Sequence, residues 1–180
     1  MPGEESEFRK GRLTVEGEYA TIMFRRILHH PPELVWQAIT DPEELKGWLM
    51  CSFAKIDGRT GGTVEMVSGP KQFHVKGKIL AWDPPNVYEH EWKVSPVAEM
   101  PQGEDAVFRY ELTRTGGSTL LTVTYRRLTR RTASGFAEGP TQMVPIRSPC
   151  TATSSLLSAV IETSEYLSKS CVMRRTSPPG

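Results

Sequence analysis

The chain has 180 residues, 22 Lys and Arg against 21 Asp and Glu, a formal net charge of +1, and is 38% hydrophobic with 8% aromatics. That is the profile of one ordinary globular domain, long enough to build a core without disulfides or metals. The near-zero charge argues against nucleic acid or an acidic membrane as partner, and no apolar run is long enough for a membrane-spanning helix.

Residues 1–12 are charged and, after Met1, carry Phe8 as their only large apolar side chain, which predicts a flexible lead before a core spanning 13–139. The acidic start, Met1-Pro2-Gly3-Glu4-Glu5, lacks the apolar stretch of a secretion signal, so the expected location is cytoplasmic. From Tyr19 to Leu28 the chain is rich in β-branched and aromatic residues, and Ile22, Phe24 and Leu28 share one parity, which predicts a long first strand. His29-His30-Pro31-Pro32 stops it. Pro32 suits the first turn of a helix reaching Ile39, with Leu34, Val35, Ala38 and Ile39 as its apolar stripe. Thr40-Asp41-Pro42 then opens a second short helix, because Asp41 can accept from free amides and Pro42 fits a first turn.

Strands are predicted at 53–56, 63–67, 73–82, 87–94, 107–113 and 120–128, separated by turn signals such as Asp57-Gly58, Gly61-Gly62 and Gly116-Gly117. Counting the first strand, this makes about seven, antiparallel because the connections are too short for crossovers. Val64, Met66, Phe73, Val75, Tyr88, His90, Trp92, Phe108, Tyr110, Leu112, Leu121, Val123 and Tyr125 fall on one face. Glu65, His74, Lys76, Glu89, Glu91, Arg109, Glu111, Thr122 and Thr124 fall on the other. Beyond residue 139 the composition turns to Ser, Thr and Pro, and only 154–172 has helical spacing, with Leu156, Leu157, Val160, Ile161, Leu167 and Cys171 on its apolar side. That segment is the predicted cover for the oily face. Cys51, Cys150 and Cys171 are odd in number and form no CxxC pair, so they read as free thiols and not as a zinc site.

Pro32-Glu33-Leu34-Val35-Trp36-Gln37-Ala38-Ile39-Thr40-Asp41-Pro42-Glu43-Glu44-Leu45-Lys46-Gly47-Trp48 resembles the opening of the activator of heat-shock protein 90 ATPase homologue family. This family lies within the START, polyketide-cyclase and birch-pollen-allergen-like (SRPBCC) superfamily. Gly61-Gly62-Thr63, Gly77-Lys78-Ile79-Leu80 with Asp83-Pro84-Pro85, Tyr88 to Trp92 and Gly117 to Leu128 extend the resemblance over roughly 19–139. It implies an α+β helix-grip fold, with two short helices after the first strand, a curved antiparallel sheet, and a C-terminal lid helix. It also implies a cavity of the kind used across the superfamily to hold lipids, sterols, aromatic polyketides or hormones. The chaperone-stimulating activity belongs to a eukaryotic protein with a further N-terminal domain for which this chain has no room, so chaperone contact is a weak carry-over. One departure stands out. Where family members continue into an amphipathic helix, this chain has Pro140, Pro145 and Pro149. Either the lid is displaced to 154–172, or the tail is an out-of-frame replacement of the ancestral one.

Catalytic signatures are absent: there is no GxSxG, HExxH or GxxxxGK[ST], and Gly58-Arg59-Thr60-Gly61-Gly62 lacks the lysine of a phosphate loop. Neither metal nor cofactor is expected. The residues expected to wall a ligand cavity are Trp36, Trp48, Met66, Phe73, Tyr88, His90, Trp92, Phe108, Tyr110 and Tyr125. His90 and Tyr110 are the candidate polar handles. The plainer expectation is a His90 satisfied by a neighbouring tyrosine, and Tyr110 and Tyr125 bonded to each other or to the backbone. Arg126-Arg127 with Arg130-Arg131 reads as a solvated strand end. The leading functional reading is non-catalytic binding of a small hydrophobic or aromatic molecule, with a homodimer as the assembly considered. The alternatives are a cyclase or aromatase-like enzyme moving protons through His90 or Tyr110, and a chaperone-interacting protein.

Overall fold

Alternating apolar and polar side chains build one antiparallel sheet, and the two proline-started helices follow its second strand. The computed structural model describes residues 12–49, 51–68, 72–98, 100–130 and 133. Its elements are β1 (Arg12–Glu16), β2 (Tyr19–Leu28), α1 (Pro32–Thr40), α2 (Pro42–Trp48), β3 (Cys51–Ile56), β4 (Thr63–Ser68), β5 (Phe73–Asp83), β6 (Val87–Val94), β7 (Glu104–Thr115) and β8 (Ser118–Thr129). The eight strands lie in the order β1-β2-β8-β7-β6-β5-β4-β3, every neighbouring pair antiparallel. This is the α+β helix-grip architecture expected from the sequence, with one strand more than foreseen. The extra strand is β1, which has only Leu13 and Val15 as apolar residues and is exposed along its whole length, so its alternation carries little signal. The predicted lid at 154–172, the tail from 140 and the lead before Arg12 lie outside the described residues.

Local chemistry explains each turn. Pro32 and Pro42 occupy first-turn positions of α1 and α2, and the Glu43 amide donates to Asp41 Oδ1 at 2.8 Å. The β3–β4 turn is closed by Asp57 N–H to Thr63 O at 2.9 Å, with Gly61 in the left-handed region. The hairpin reading of that glycine run therefore holds. At Gly77 the strands β5 and β6 come so close that a Cβ would fall 2.1 Å from the Glu91 carbonyl oxygen.

The core lies on the inner face, where Phe24, Val35, Ile39, Leu45, Val64, Met66, Val75, Ile79, Phe108, Leu112, Leu121 and Leu128 are all buried. Leu34 departs from the predicted α1 stripe: it is exposed, while Val35, Ala38 and Ile39 are buried. The outer face of β6, β7 and β8 carries ion pairs. Arg109 bridges Glu89 and Glu111, each at 3.0 Å, and Arg126 reaches the same Glu89 at 2.8 Å. Arg127 pairs with Asp105 at 2.9 Å, so Arg126 and Arg127 of the basic cluster are engaged by neighbouring strands. Among the described residues no helix is long and apolar enough to cross a membrane.

Candidate functional site

The wall of the candidate site is made where β6, β7 and β8 run side by side. Their register sets Tyr88 opposite Tyr110, His90 opposite Phe108, and Phe108 opposite Tyr125. Side chains on one face of adjacent strands fall within ring-contact distance. Trp92 accordingly stacks on Phe108 at 4.4 Å, Phe108 meets Tyr125 at 4.0 Å, and Tyr88 stacks on His90 at 4.8 Å and Tyr110 at 5.8 Å. The opposite border comes from α1 and β5, where Trp36 and Trp82 meet edge to face at 5.0 Å. Both also lie edge-on to Tyr88, at 6.3 and 5.2 Å respectively.

Of the ten residues expected at the site, Tyr88, His90, Trp92, Phe108, Tyr110 and Tyr125 form one continuous cluster, with Trp36 against its border. Met66 is buried on β4, and Phe73 is half-buried at the start of β5. Trp48 ends α2, and its side chain lies outside the described residues. Trp82 is not among those ten. Strict alternation sends it outward with His74 and Lys76. A register shift between Ile79 and Ala81 instead pairs Trp82 with Tyr88, because a bulge inserts one residue and exchanges the faces beyond it. Such a shift leaves no mark in a strand of this composition.

The polar atoms within this aromatic wall differ from the expectation in two ways. His90 is 1% exposed, and its Nδ1 sits 2.9 Å from the carbonyl oxygen of Glu91. A carbonyl only accepts, so Nδ1 carries the hydrogen and Nε2 is the ring's acceptor. The partner of the histidine is thus its own backbone neighbour and not a tyrosine. Burial pulls the imidazole down to about 4, against the raising effects of the Glu91 bond and the Glu89 charge, so the ring is neutral at physiological pH. Tyr110 is hydrogen-bonded to Tyr125, and burial first, then those contacts, push its hydroxyl well above the ordinary tyrosine range. Tyr88 is 2% exposed, burial alone raises its pKa, and its hydroxyl has no hydrogen-bond partner among the described residues. The buried hydroxyl without a described partner is therefore that of Tyr88, a residue expected from the sequence only in the apolar wall.

The remaining histidines stand apart. His29 Nδ1 lies 3.3 Å from Ser118 Oγ at a strand end, and His74 is exposed on the face opposite His90. Among the described residues no group of three His, Cys, Asp or Glu could hold a metal. Cys51 is buried and in no disulfide among the described residues.

Residues 29–145 match the family described as Activator of Hsp90 ATPase homolog 1-like protein. The chain belongs to this family. Among solved structures it is similar to CalU16 from Micromonospora echinospora, with 20% identity over 91% of this chain and 90% of that one and a TM-score of 0.56. A protein from Mesorhizobium loti, MLL2253, has 20% identity over 81% and 96% of the two chains with a TM-score of 0.58. An HSP90 activator from Plasmodium falciparum has 21% identity over 60% and 73% with a TM-score of 0.50. At these identities the likenesses show the fold. No curated protein matches the sequence.

Proposed function

We propose that this member of the Hsp90-activator homologue family binds, without chemical conversion, a small aromatic or apolar molecule bearing one polar group. It would lie against the inner face of the sheet, in a cavity walled by Trp36, Trp82, Tyr88, Trp92, Phe108 and Tyr125. The observation that carries the reading is the buried Tyr88 hydroxyl without a partner among the described residues. Leaving a buried donor unmet costs about 1–3 kcal/mol, and a guest that accepts from it recovers that amount. His90 stands beside it with Nε2 as acceptor. A hydroxyl on the guest can accept from Tyr88 and donate to His90, while the surrounding rings bury its apolar body.

The same chemistry speaks against the enzyme reading. An imidazole held near 4 is a weak general base at neutral pH, and a tyrosine pushed well above its usual range is a weak acid. For the chaperone reading, the family's description is the support.

The test is calorimetric titration of the full chain with 2-naphthol and with naphthalene, alongside native mass spectrometry of the freshly purified protein. The hydroxylated ring is expected to bind at least about fivefold tighter, the worth of roughly one hydrogen bond. Absence of heat with both compounds, together with a native mass equal to the bare chain, would overturn the proposal.

A further inference from the structure

The two borders of the sheet are built differently. On the β3 side, α2 packs alongside the edge strand, a register shift interrupts the strand between Cys51 and Phe53, and Lys55 lies on it. These are the usual devices that stop an edge from recruiting another strand. Among the described residues the β1 side has no flanking helix, no register shift and no strand pairing its outer side, and Arg12-Leu13-Thr14-Val15-Glu16 contains no proline or glycine.

The hairpin geometry says which backbone groups that edge presents. Glu16 pairs with Tyr19 across a two-residue turn, with Gly17 at φ +59° in its first position. In such a turn the closing pair exchanges both backbone hydrogen bonds, and the direction alternates along the strand. Glu16, Thr14 and Arg12 therefore bond inward to β2, and Leu13 and Val15 offer N–H and C=O outward. Their side chains lie on the inner face, opposite Ile22 and Ala20, yet are 39% and 49% exposed.

We infer that β1 is a self-association edge, pairing antiparallel with β1 of a second copy about a two-fold axis through Thr14. In this register Leu13 exchanges both backbone bonds with Val15 of the second copy, and the reciprocal pair does the same. Arg12 stands opposite Glu16 of the second copy at both ends, and Leu13 and Val15 gain apolar neighbours on the inner face. Sliding either strand by two residues separates Arg12 from Glu16 at both ends, so charge favours this register over its neighbours. Among the described residues Arg12 and Glu16 form no ion pair. The occupant is a second copy, because the strand complements its own charge pattern.

The experiment is sedimentation velocity of the full chain from low to high micromolar concentration, for wild type, Arg12→Glu, Glu16→Arg, and an equimolar mixture of the two variants. The wild type is expected to show a concentration-dependent dimer. Each variant alone sets like charges opposite one another at both ends and is expected to self-associate at least about tenfold more weakly. The mixture restores two opposite-charge pairs and is expected to regain the dimer, which a merely misfolded variant would not do. A wild type that stays monomeric throughout, single variants that dimerise as well as wild type, or a mixture that fails to recover would each overturn the inference.

Discussion

Replacing Tyr88 by Phe should have opposite effects on the stability of the empty protein and on its binding. The ring contacts to His90, Tyr110, Trp82 and Trp36, at 4.8, 5.8, 5.2 and 6.3 Å, depend on the ring and survive the change. What disappears is a hydroxyl that is buried and has no partner among the described residues. Of the roughly 1–3 kcal/mol that an unmet buried donor costs, taking about 1 kcal/mol as recovered raises the melting temperature by about 2–4 °C for a chain of this size. The assay is reversible urea and thermal unfolding of protein first unfolded and refolded to remove any guest. In a 2-naphthol titration the same variant should bind about five to tenfold more weakly, since its one directional donor is gone. If Tyr88→Phe instead destabilises the refolded protein by 1 kcal/mol or more, the hydroxyl makes a bond in the empty fold, and the argument for a guest at Tyr88 fails.

His90 should make the fold acid-sensitive. Burial holds its folded pKa at about 4 against an ordinary 6.5, so between those values the unfolded chain takes up a proton that the folded chain refuses. The stability is complete above about pH 6.5 and is lost as pH falls toward 4. In His90→Gln the drop in unfolding free energy between pH 7 and pH 5 should be about 2 kcal/mol smaller than in wild type, and parallel profiles would count against a buried neutral ring. Gly77→Ala drives a methyl against the Glu91 carbonyl oxygen and should destabilise by about 2–4 kcal/mol in urea titrations, whereas a change under 0.5 kcal/mol would mean that β5 and β6 can part freely. Asp41→Ala removes the acceptor for the Glu43 amide and should cost about 1 kcal/mol, with Asp41→Asn retaining most of it.

Much of this architecture was legible because the sequence writes period and punctuation plainly. The strand at Tyr19–Leu28 and both helix starts follow from β-branched content, Pro32, Asp41 and Pro42, each a local signal that packing did not override. Parity placed Tyr88, His90, Trp92, Phe108, Tyr110 and Tyr125 on one face, as observed. What was not legible depends on register and on neighbours. Trp82 turns inward through a bulge, and Thr124, expected on the wet face, is buried at a mid-sheet position flanked by Met23 and Arg109. The choice between Tyr88 and Tyr110 as the available hydroxyl is a matter of which pairs with Tyr125, and spacing within a strand says nothing about that.

The position of β2 has a consequence for how the molecule is made. Its inner residues Ile22, Phe24 and Leu28 are roofed by pairing with β8, so that Phe24 waits for Val123 and Leu28 for Thr119. Nearly a whole domain's length of polypeptide must leave the ribosome before that seam can close, and until then the early greasy strand has only its short hairpin mate. Distant pairings of this kind slow folding and leave nascent chains adhesive. Synthesis halted anywhere before the final strand should therefore yield a species that clumps or is degraded, and not a smaller version of the finished domain.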